Sequence, residues 1–512
     1  MNNKNILLIM TDQHRNDYVG YMPGGKAVTP NIDWIAGGCG FEACQSGNPL
    51  CVPARTSLAT GRYARQVGMR AMSGDLFPQI PTFMSALQKN GYTTYAIGKL
   101  HYLQTWDWGA KRNQGINLYE KVEEMKKFGY DYIWETAGKQ LLHANYCSYA
   151  HYLEEKGLLE KARDFVRDSG GPNGDTADRN YDTASAWPFA EEDYIDVVTG
   201  RKACEALEQH PSDKPFYMLA SFCSPHKTYD APQRYLDMFE LEEKDDFILQ
   251  NGQSIAEEDK MTIYRQRRNV KAMLKLVDDQ IGNILNVLRS KDLLDKTMII
   301  FTSDHGDGLG DHFMIQKGIP WKQVASVPLA IRMPGYADNK LIKDPVELTD
   351  VSATILDYAG LDPQSALSRS WPKYNNVIPC RSLLPVVRGE VEKVRDYTFT
   401  EADFSEEHPF LDDPNAGLLT PEEVMKKRGE GRGNKWEMIQ TRKYKYIKYL
   451  GYEKPGVFHE ELYDLENDPD ELYDVAKNPE YADYLKQGRD YLMFTVDHYP
   501  TAQLTWMELN IK

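Results

Sequence analysis

The chain has no apolar run long enough to span a bilayer, which excludes a transmembrane helix and a membrane partner. Its apolar N-terminal stretch, Ile6-Leu7-Leu8-Ile9-Met10, ends at once in Thr11-Asp12-Gln13 with no small-residue cleavage site. It therefore reads as a buried first strand and not as a signal peptide. Positive charge is in deficit, 60 Lys and Arg against 76 Asp and Glu, for a formal net charge of −16. That balance excludes a general nucleic-acid binder, which needs basic patches to neutralise phosphates. An acidic protein acting on an anion would have to concentrate its cations at one place. Cysteine is scarce: seven residues, odd in number, scattered at 39, 44, 51, 147, 204, 223 and 380. They suit reduced thiols, so the expected compartment is cytoplasmic, and the initiating Met1 argues against a mature secreted form. Internal repeats and low-complexity tracts are absent as well.

What is present is an ordinary globular composition, 41% hydrophobic over 512 residues, enough for a large core. Residues 6–10, 92–97, 215–222 and 297–302 read as buried strands. Helical patterns lie between them: 29–36 with Thr29 or Asn31 in capping position, 81–90 ended by Gly91, and the long amphipathic run 264–289. This alternation predicts an α/β fold, a large mostly parallel sheet flanked by helices. Residues 103–195 show weak periodicity and many aromatics, and are assigned as an irregular insertion walling a substrate pocket. After about residue 385 the pattern changes. Residues 436–449 read as a hairpin around a basic turn and 461–469 as a strand and turn. The expected division is a catalytic domain over 1–385 and a smaller C-terminal antiparallel subdomain over 386–512.

The stretch Leu50-Cys51-Val52-Pro53-Ala54-Arg55-Thr56-Ser57 is the most specific signal in the chain. With seven Cys and 27 Pro available, roughly 0.02 accidental Cys-x-Pro-x-Arg matches are expected. Pro53 suits the first turn of a helix, where its missing N–H costs nothing. Arg55, four residues on, shares a face with Cys51, and an anion at Cys51 would meet the positive end of the helix dipole. A buried cysteine before a surface helix is the plainer alternative.

Polar groups also follow each buried strand: Asp12 and Gln13, Lys99 and His101, His226, then Asp304 and His305, with Lys317 further on. Singly, each has an ordinary explanation as a cap, a solvated cation or a satisfied histidine. Repeated placement at strand ends, where open α/β sheets bind ligands, argues for a site. Lys99 and His101, two apart, are expected on one side of an extended chain. Asp307 and His312 are expected to orient their loop, His14 and Arg15 to line the rim, and Arg62 and Arg65 to be solvated or paired.

The Cys51 stretch, these strand ends and the Leu462-Tyr463-Asp464-Leu465 segment ahead of Asp468-Pro469 resemble the type I, formylglycine-dependent sulfatases of the alkaline phosphatase superfamily. The resemblance runs from Asn5 to about Asn478. It implies an alkaline-phosphatase-like fold, hydrolysis of a sulfate monoester, and oxidation of Cys51 to formylglycine (3-oxoalanine) by a formylglycine-generating maturation enzyme. It also implies that Asp12, Gln13, Asp304 and His305, with an oxygen of modified Cys51 or of substrate, hold one divalent cation. Oxygen donors suit hard cations, and the family leads to calcium, with magnesium as an alternative. His305 in place of the asparagine of other sulfatases, and Gln13 in place of a frequent aspartate, keep manganese open. Arg55, Lys99 and Lys317 would neutralise sulfate oxygens, and His226 would protonate the leaving oxygen. His101 would deprotonate the second hydroxyl of the aldehyde hydrate so that sulfate is expelled.

The expected substrate is a small sulfated carbohydrate, with Trp106, Trp108, Trp134 and Trp187 available to stack on a sugar or simply to pack. Two other readings remain. One is a phosphonate monoester or phosphodiester hydrolase of the same superfamily, which needs the same cationic cradle. The other is a non-catalytic anion-binding protein in which Cys51 stays a thiol.

Overall fold

In the computed structural model, which describes residues 4–502 except 71, 73, 106–114, 169–183, 212, 245, 250–253, 369–376, 404–434 and 451–457, the apolar first strand lies at the centre of a nine-stranded sheet. The strands are β1 (Asn5–Asp12), β2 (Cys39–Gln45), β3 (Thr93–Gly98), β4 (Tyr132–Glu135), β5 (Phe216–Pro225), β6 (Thr297–Ser303), β7 (Ser326–Arg332), β8 (Lys340–Ile342) and β9 (Val346–Glu347). Their order is β8-β2-β7-β6-β1-β5-β3-β4, with β9 also pairing β2. All pairings are parallel except those of β7, which runs antiparallel to β6 and β2. The sequence pattern predicted this because a strand buried on both faces must be apolar throughout: β1, β5 and β6 are buried at every residue.

Helices form two separate packed sets. One contains α1 (Pro30–Ala36), α4 (Ile195–Gln209) and α5 (Glu257–Ser290); the other contains α2 (Cys51–Thr60), α3 (Phe83–Lys89) and α6 (Asp350–Tyr358). The capping of α1 departs from expectation. The Thr29 hydroxyl bonds Asp33 instead of the helix N–H groups, and Asp278 of α5 accepts from Asn31 N at 3.0 Å and Ile32 N at 2.9 Å. Residues 103–195 also differ from the irregular insertion expected: within them β4 joins the main sheet beside β3, and helices occupy Ser148–Glu155 and Leu159–Asp168.

A second sheet is an antiparallel meander of β10 (Thr398–Asp403), β11 (Lys435–Gln440), β12 (Tyr444–Leu450) and β13 (Phe458–Asp464), as the alternating pattern predicted. One face buries Ile439, Tyr444, Tyr446 and Leu462 with Leu492 of α7 (Ala482–His498). The other buries Trp436, Met438, Ile447 and Tyr449 against Leu50, Met314, Ile319 and Trp321 of the main body. Among the described residues no helix is long and apolar enough to cross a membrane.

Candidate active site

The four strands that end in polar residues are neighbours, β6-β1-β5-β3, and their register levels those ends. Thr11 lies opposite Ser303, Asp12 opposite Pro225, and Gly98 opposite Ser221. Asp12, Gln13, Lys99, His226, Asp304 and His305 thus leave the sheet at one edge. Gly98 is required there: its φ is +106°, and a Cβ would stand 1.8 Å from the Ser221 carbonyl oxygen.

Cys51 is the first residue of α2, facing this edge, and is fully buried. The alternative of a surface helix fails, since α2 is buried at all ten positions. Lys317 Nζ donates to Cys51 Sγ at 2.8 Å, His305 Nε2 is 3.1 Å away, and Asp12 Oδ1 is 3.6 Å away. Burial and the Asp12 charge push the thiol up, but Lys317, Lys99 and His305 outweigh them and hold it below its ordinary value.

Arg55 ties α2 to three strands: Nε donates to Asp304 Oδ2 at 2.8 Å, and Nη1 to the Lys99 carbonyl at 2.7 Å and Ser221 Oγ at 2.8 Å. Its Nη2 is buried without a partner among the described residues. Lys99 Nζ is ion-paired to Asp12 Oδ2. Burial works against the lysine charge, but Asp12 and the thiolate outweigh it and raise the Lys99 pKa. Lys99, Lys317 and Arg55 lower the Asp12 carboxyl well below the carboxylate range despite its burial. Three cations, Arg55, Lys99 and Lys317, thus converge on this edge.

His226 Nδ1 donates to the Lys227 carbonyl at 2.7 Å, leaving Nε2 to accept from Lys317 Nζ at 2.9 Å. Burial, Lys317 and Lys99 keep the ring neutral. Lys99 and His101 do not continue an extended strand as expected, because β3 ends at Gly98 and His101 has a φ of +60°. His101 Nε2 donates to the Ala137 carbonyl at 2.9 Å, and its buried Nδ1 has no partner among the described residues. Burial with Lys99 and Arg55 holds this ring neutral too, so Nδ1 carries a lone pair.

Asp12, Cys51, Asp304 and His305 each offer a donor atom, all within 4.8 Å of one another. Gln13 follows Asp12, and its N–H donates to Asp304 Oδ1 at 3.0 Å. Its Nε2 donates to Asp307 Oδ2 at 2.6 Å, which fixes the amide so that Oε1 is the atom left buried without a partner among the described residues. His305 Nδ1 donates to the Gly306 carbonyl at 2.9 Å, leaving Nε2 free to ligate. An orphaned amide oxygen, two carboxylates and an imidazole nitrogen fit a divalent cation.

Of the neighbouring residues, Asp307, Arg62 and Arg65 sort as expected, and His14 and Arg15 do not. Asp307 orients its loop, accepting from Gln13, Tyr229 and the Leu309 and Gln316 N–H groups. His312 stacks on Trp321 at 5.1 Å. His14 and Arg15 do not line a rim: His14 bonds Thr11 and the Tyr18 carbonyl, and Arg15 pairs with Asp17 and Asp311. Arg62 and Arg65 are buried and paired, Arg65 with Glu401 and Glu437. Trp134 and Trp187 pack in the core, against Tyr149 and Tyr194 respectively, and Trp106 and Trp108 lie outside the described residues.

Sequence reasoning missed Glu135. It closes β4, and its Oε1 accepts from Leu100 N at 3.3 Å and Ala137 N at 3.1 Å, bracketing the His101–Ala137 bond. A charged residue after the apolar Ile133-Trp134 pair was the available signal. Burial pushes its carboxyl up to about 7, the two N–H groups, Arg55 and Lys99 opposing. The folded state therefore holds a proton that an unfolded chain, with a value near 4.5, releases. Stability is fully present below about pH 4.5 and is lost as pH rises to about 7. In Glu135→Gln this slope, of order 1–3 kcal/mol, should vanish from the melting-temperature profile across that window. An unchanged profile would show that Glu135 is ionised throughout.

A mostly parallel sheet flanked by helices, whose polar edge gathers a buried thiol at a helix head, three cations and residues able to hold a metal ion, has the architecture of the alkaline-phosphatase-like hydrolases. The sulfatase family model matches residues 4–361, and the chain belongs to that family, the hydrolases of sulfuric esters. It is 27% identical to an arylsulfatase of Clostridium perfringens, covering 94% of this chain and 93% of that one. It is 25% identical to an N-acetylglucosamine-6-O-sulfatase of Bacteroides thetaiotaomicron, covering 97% and 86%. Among solved structures, the phosphonate monoester hydrolase of Agrobacterium radiobacter superposes with a TM-score of 0.71 at 22% identity, covering 97% of this chain and 96% of that one. A protein in complex with its substrate D-glucosamine-2-N,6-O-disulfate superposes with a TM-score of 0.66 at 19% identity, covering 97% and 98%.

Proposed function

We propose that this sulfatase hydrolyses a sulfate monoester on a carbohydrate, using Cys51 after its conversion to formylglycine and one divalent cation, calcium by family precedent. The observation that carries the reading is the placement of Cys51 Sγ, 2.8 Å from Lys317 Nζ and grouped with Asp12, Asp304 and His305, three of the side chains that would hold the cation. Asp12, Gln13, Asp304 and His305 would hold it, and when bound it would supply a positive charge that polarises a sulfate oxygen. The formylglycine hydrate would offer one hydroxyl to attack sulfur and a second whose deprotonation releases sulfate.

The chain's own residues do the rest. Lys99, Lys317 and the free Nη2 of Arg55 receive the sulfate oxygens, a cradle that costs no reorganisation because each cation is already held. His226 is the acid for the leaving oxygen, its Nε2 able to take a proton from Lys317 Nζ at 2.9 Å and pass it on. His101 Nδ1, unpaired and neutral, is the base. Residues 1–385 form the catalytic unit, with 103–195 walling the pocket, and 386–512 form a smaller unit packed on it.

The carbohydrate assignment draws support from the glucosamine sulfatase relatives. A second reading, phosphonate ester hydrolysis, is favoured by the TM-score of 0.72 to the phosphonate monoester hydrolase of Silicibacter pomeroyi. Anion release from sulfated hexosamines, sulfated uronates, an aryl sulfate and a phenyl phosphonate ester, on one preparation, separates the two. Faster turnover of one sulfated sugar is expected; turnover of the phosphonate with all sulfates inert would overturn the proposal. Peptide mass spectrometry of Cys51 tests the third reading, since an unmodified thiol in active protein contradicts formylglycine chemistry.

A further inference from the structure

Lys317 stands in a turn with no regular structure of its own. Its neighbours Gln316 and Gly318 have φ of +79° and +95°, so the backbone alone does not hold the lysine in place. Two sets of bonds do. From the main body, Asp307 Oδ1 accepts from Gln316 N at 2.6 Å, and Gly308 N donates to the Gln316 carbonyl at 2.8 Å. From the second sheet, Trp436 Nε1 donates to the Gly318 carbonyl at 3.2 Å, and Lys445 Nζ donates to the Pro320 carbonyl at 3.0 Å. Lys445 is fully buried and paired to Glu471 Oε1 at 2.5 Å, while Glu471 Oε2 accepts from Lys322 N at 3.1 Å. The apolar cluster around Trp436 includes Ile319 and Leu50, the residue preceding Cys51.

We infer that the second sheet sets the reach of Lys317: Trp436 and Lys445 are positioning residues that hold the 316–320 turn so that Lys317 Nζ meets both Cys51 and His226. The inference rests on reading the Cys51 edge as the reaction centre. A buried lysine held by a carboxylate, with a second donor directed to a backbone carbonyl beside the active site, is a costly way to close a loop unless that loop's position matters. Trp436 reaches the carbonyl directly after the Lys317 residue. Small displacements of a charged group at a reacting centre cost rate steeply.

The test is a double-mutant cycle on the full chain. Trp436→Phe keeps an aromatic ring and removes the N–H, Lys317→Met removes the amine, and the two are combined. On whichever ester the parent turns over, Trp436→Phe should lower kcat about tenfold with little change in KM, and should have no further effect in Lys317→Met. An equal loss in both backgrounds is what general destabilisation produces, and would overturn the inference. Calorimetric titration of inorganic sulfate into the same four proteins asks the question without an ester. Affinity should fall with Trp436→Phe only where Lys317 is present; the same fall without Lys317, or none, counts against. If Trp436→Phe does not fold, the paired change Lys445→Gln with Glu471→Gln loosens the turn at Pro320 and enters the same cycle. Should the parent cleave phosphonates alone, the sulfatase reading fails while the cycle still judges the turn.

Discussion

Cys51→Ala should reduce sulfate ester hydrolysis to background, a loss of at least roughly 10⁴-fold in kcat, while leaving the melting temperature nearly unchanged. The side chain is fully buried, but its polar neighbours keep other partners: His226 for Lys317, Gly306 for His305, Lys99 for Asp12. Removing one sulfur atom therefore strands no charge. Cys51→Ser is the sharper variant. A serine oxygen has no second hydroxyl to drive sulfate out, so the protein should release at most one equivalent of alcohol and retain a sulfuryl group, seen by intact mass. Catalytic sulfate release by Cys51→Ser would show that the hydrate is unnecessary.

Arg55→Met should cost both activity and fold. Arg55 joins the Cys51 helix to Asp304 and Lys99, which follow β6 and β3, and to Ser221 within β5. Its loss leaves Asp304, fully buried, without its only guanidinium partner among the described residues. Breaking a buried pair from one side costs about 3–5 kcal/mol, so the melting temperature should drop by several degrees. The Asp304 carboxyl is held below its ordinary value against burial and the Asp12 charge, by His305, Arg55 and Lys99. Arg55→Lys restores charge but not the fork of donors, and should regain part of the stability and little of the rate. Full rate in Arg55→Lys would mean that the site needs a charge and not the fixed Nη2.

Much of the fold was legible because it follows from short-range pattern. Strands buried on both faces carry continuous apolar runs, as β1, β5 and β6 do over Ile6–Met10, Phe216–Ala220 and Met298–Phe301, and the meander strands must alternate, since β11 and β12 feed one core on each face. Residues 103–195 misled because β4 is only four residues long, too short for a periodic signal. The Thr29 cap misled because Asp278, far along the chain, supplies the acceptor instead.

The sequence by itself determined which residues are the candidates for the chemistry: the Cys-x-Pro-x-Arg helix head and the polar groups closing four buried strands. Their types and their places after apolar runs are local properties, readable without a fold. Only the tertiary structure decided how those groups divide their bonds. It turned the Gln13 amide by Asp307 so that an oxygen is left over, left His101 Nδ1 unpaired through a left-handed turn, and set Lys317 between Cys51 and His226 from a second sheet. Each depends on partners remote in sequence, and donors and acceptors buried together must satisfy one another in three dimensions, a constraint that no local pattern encodes.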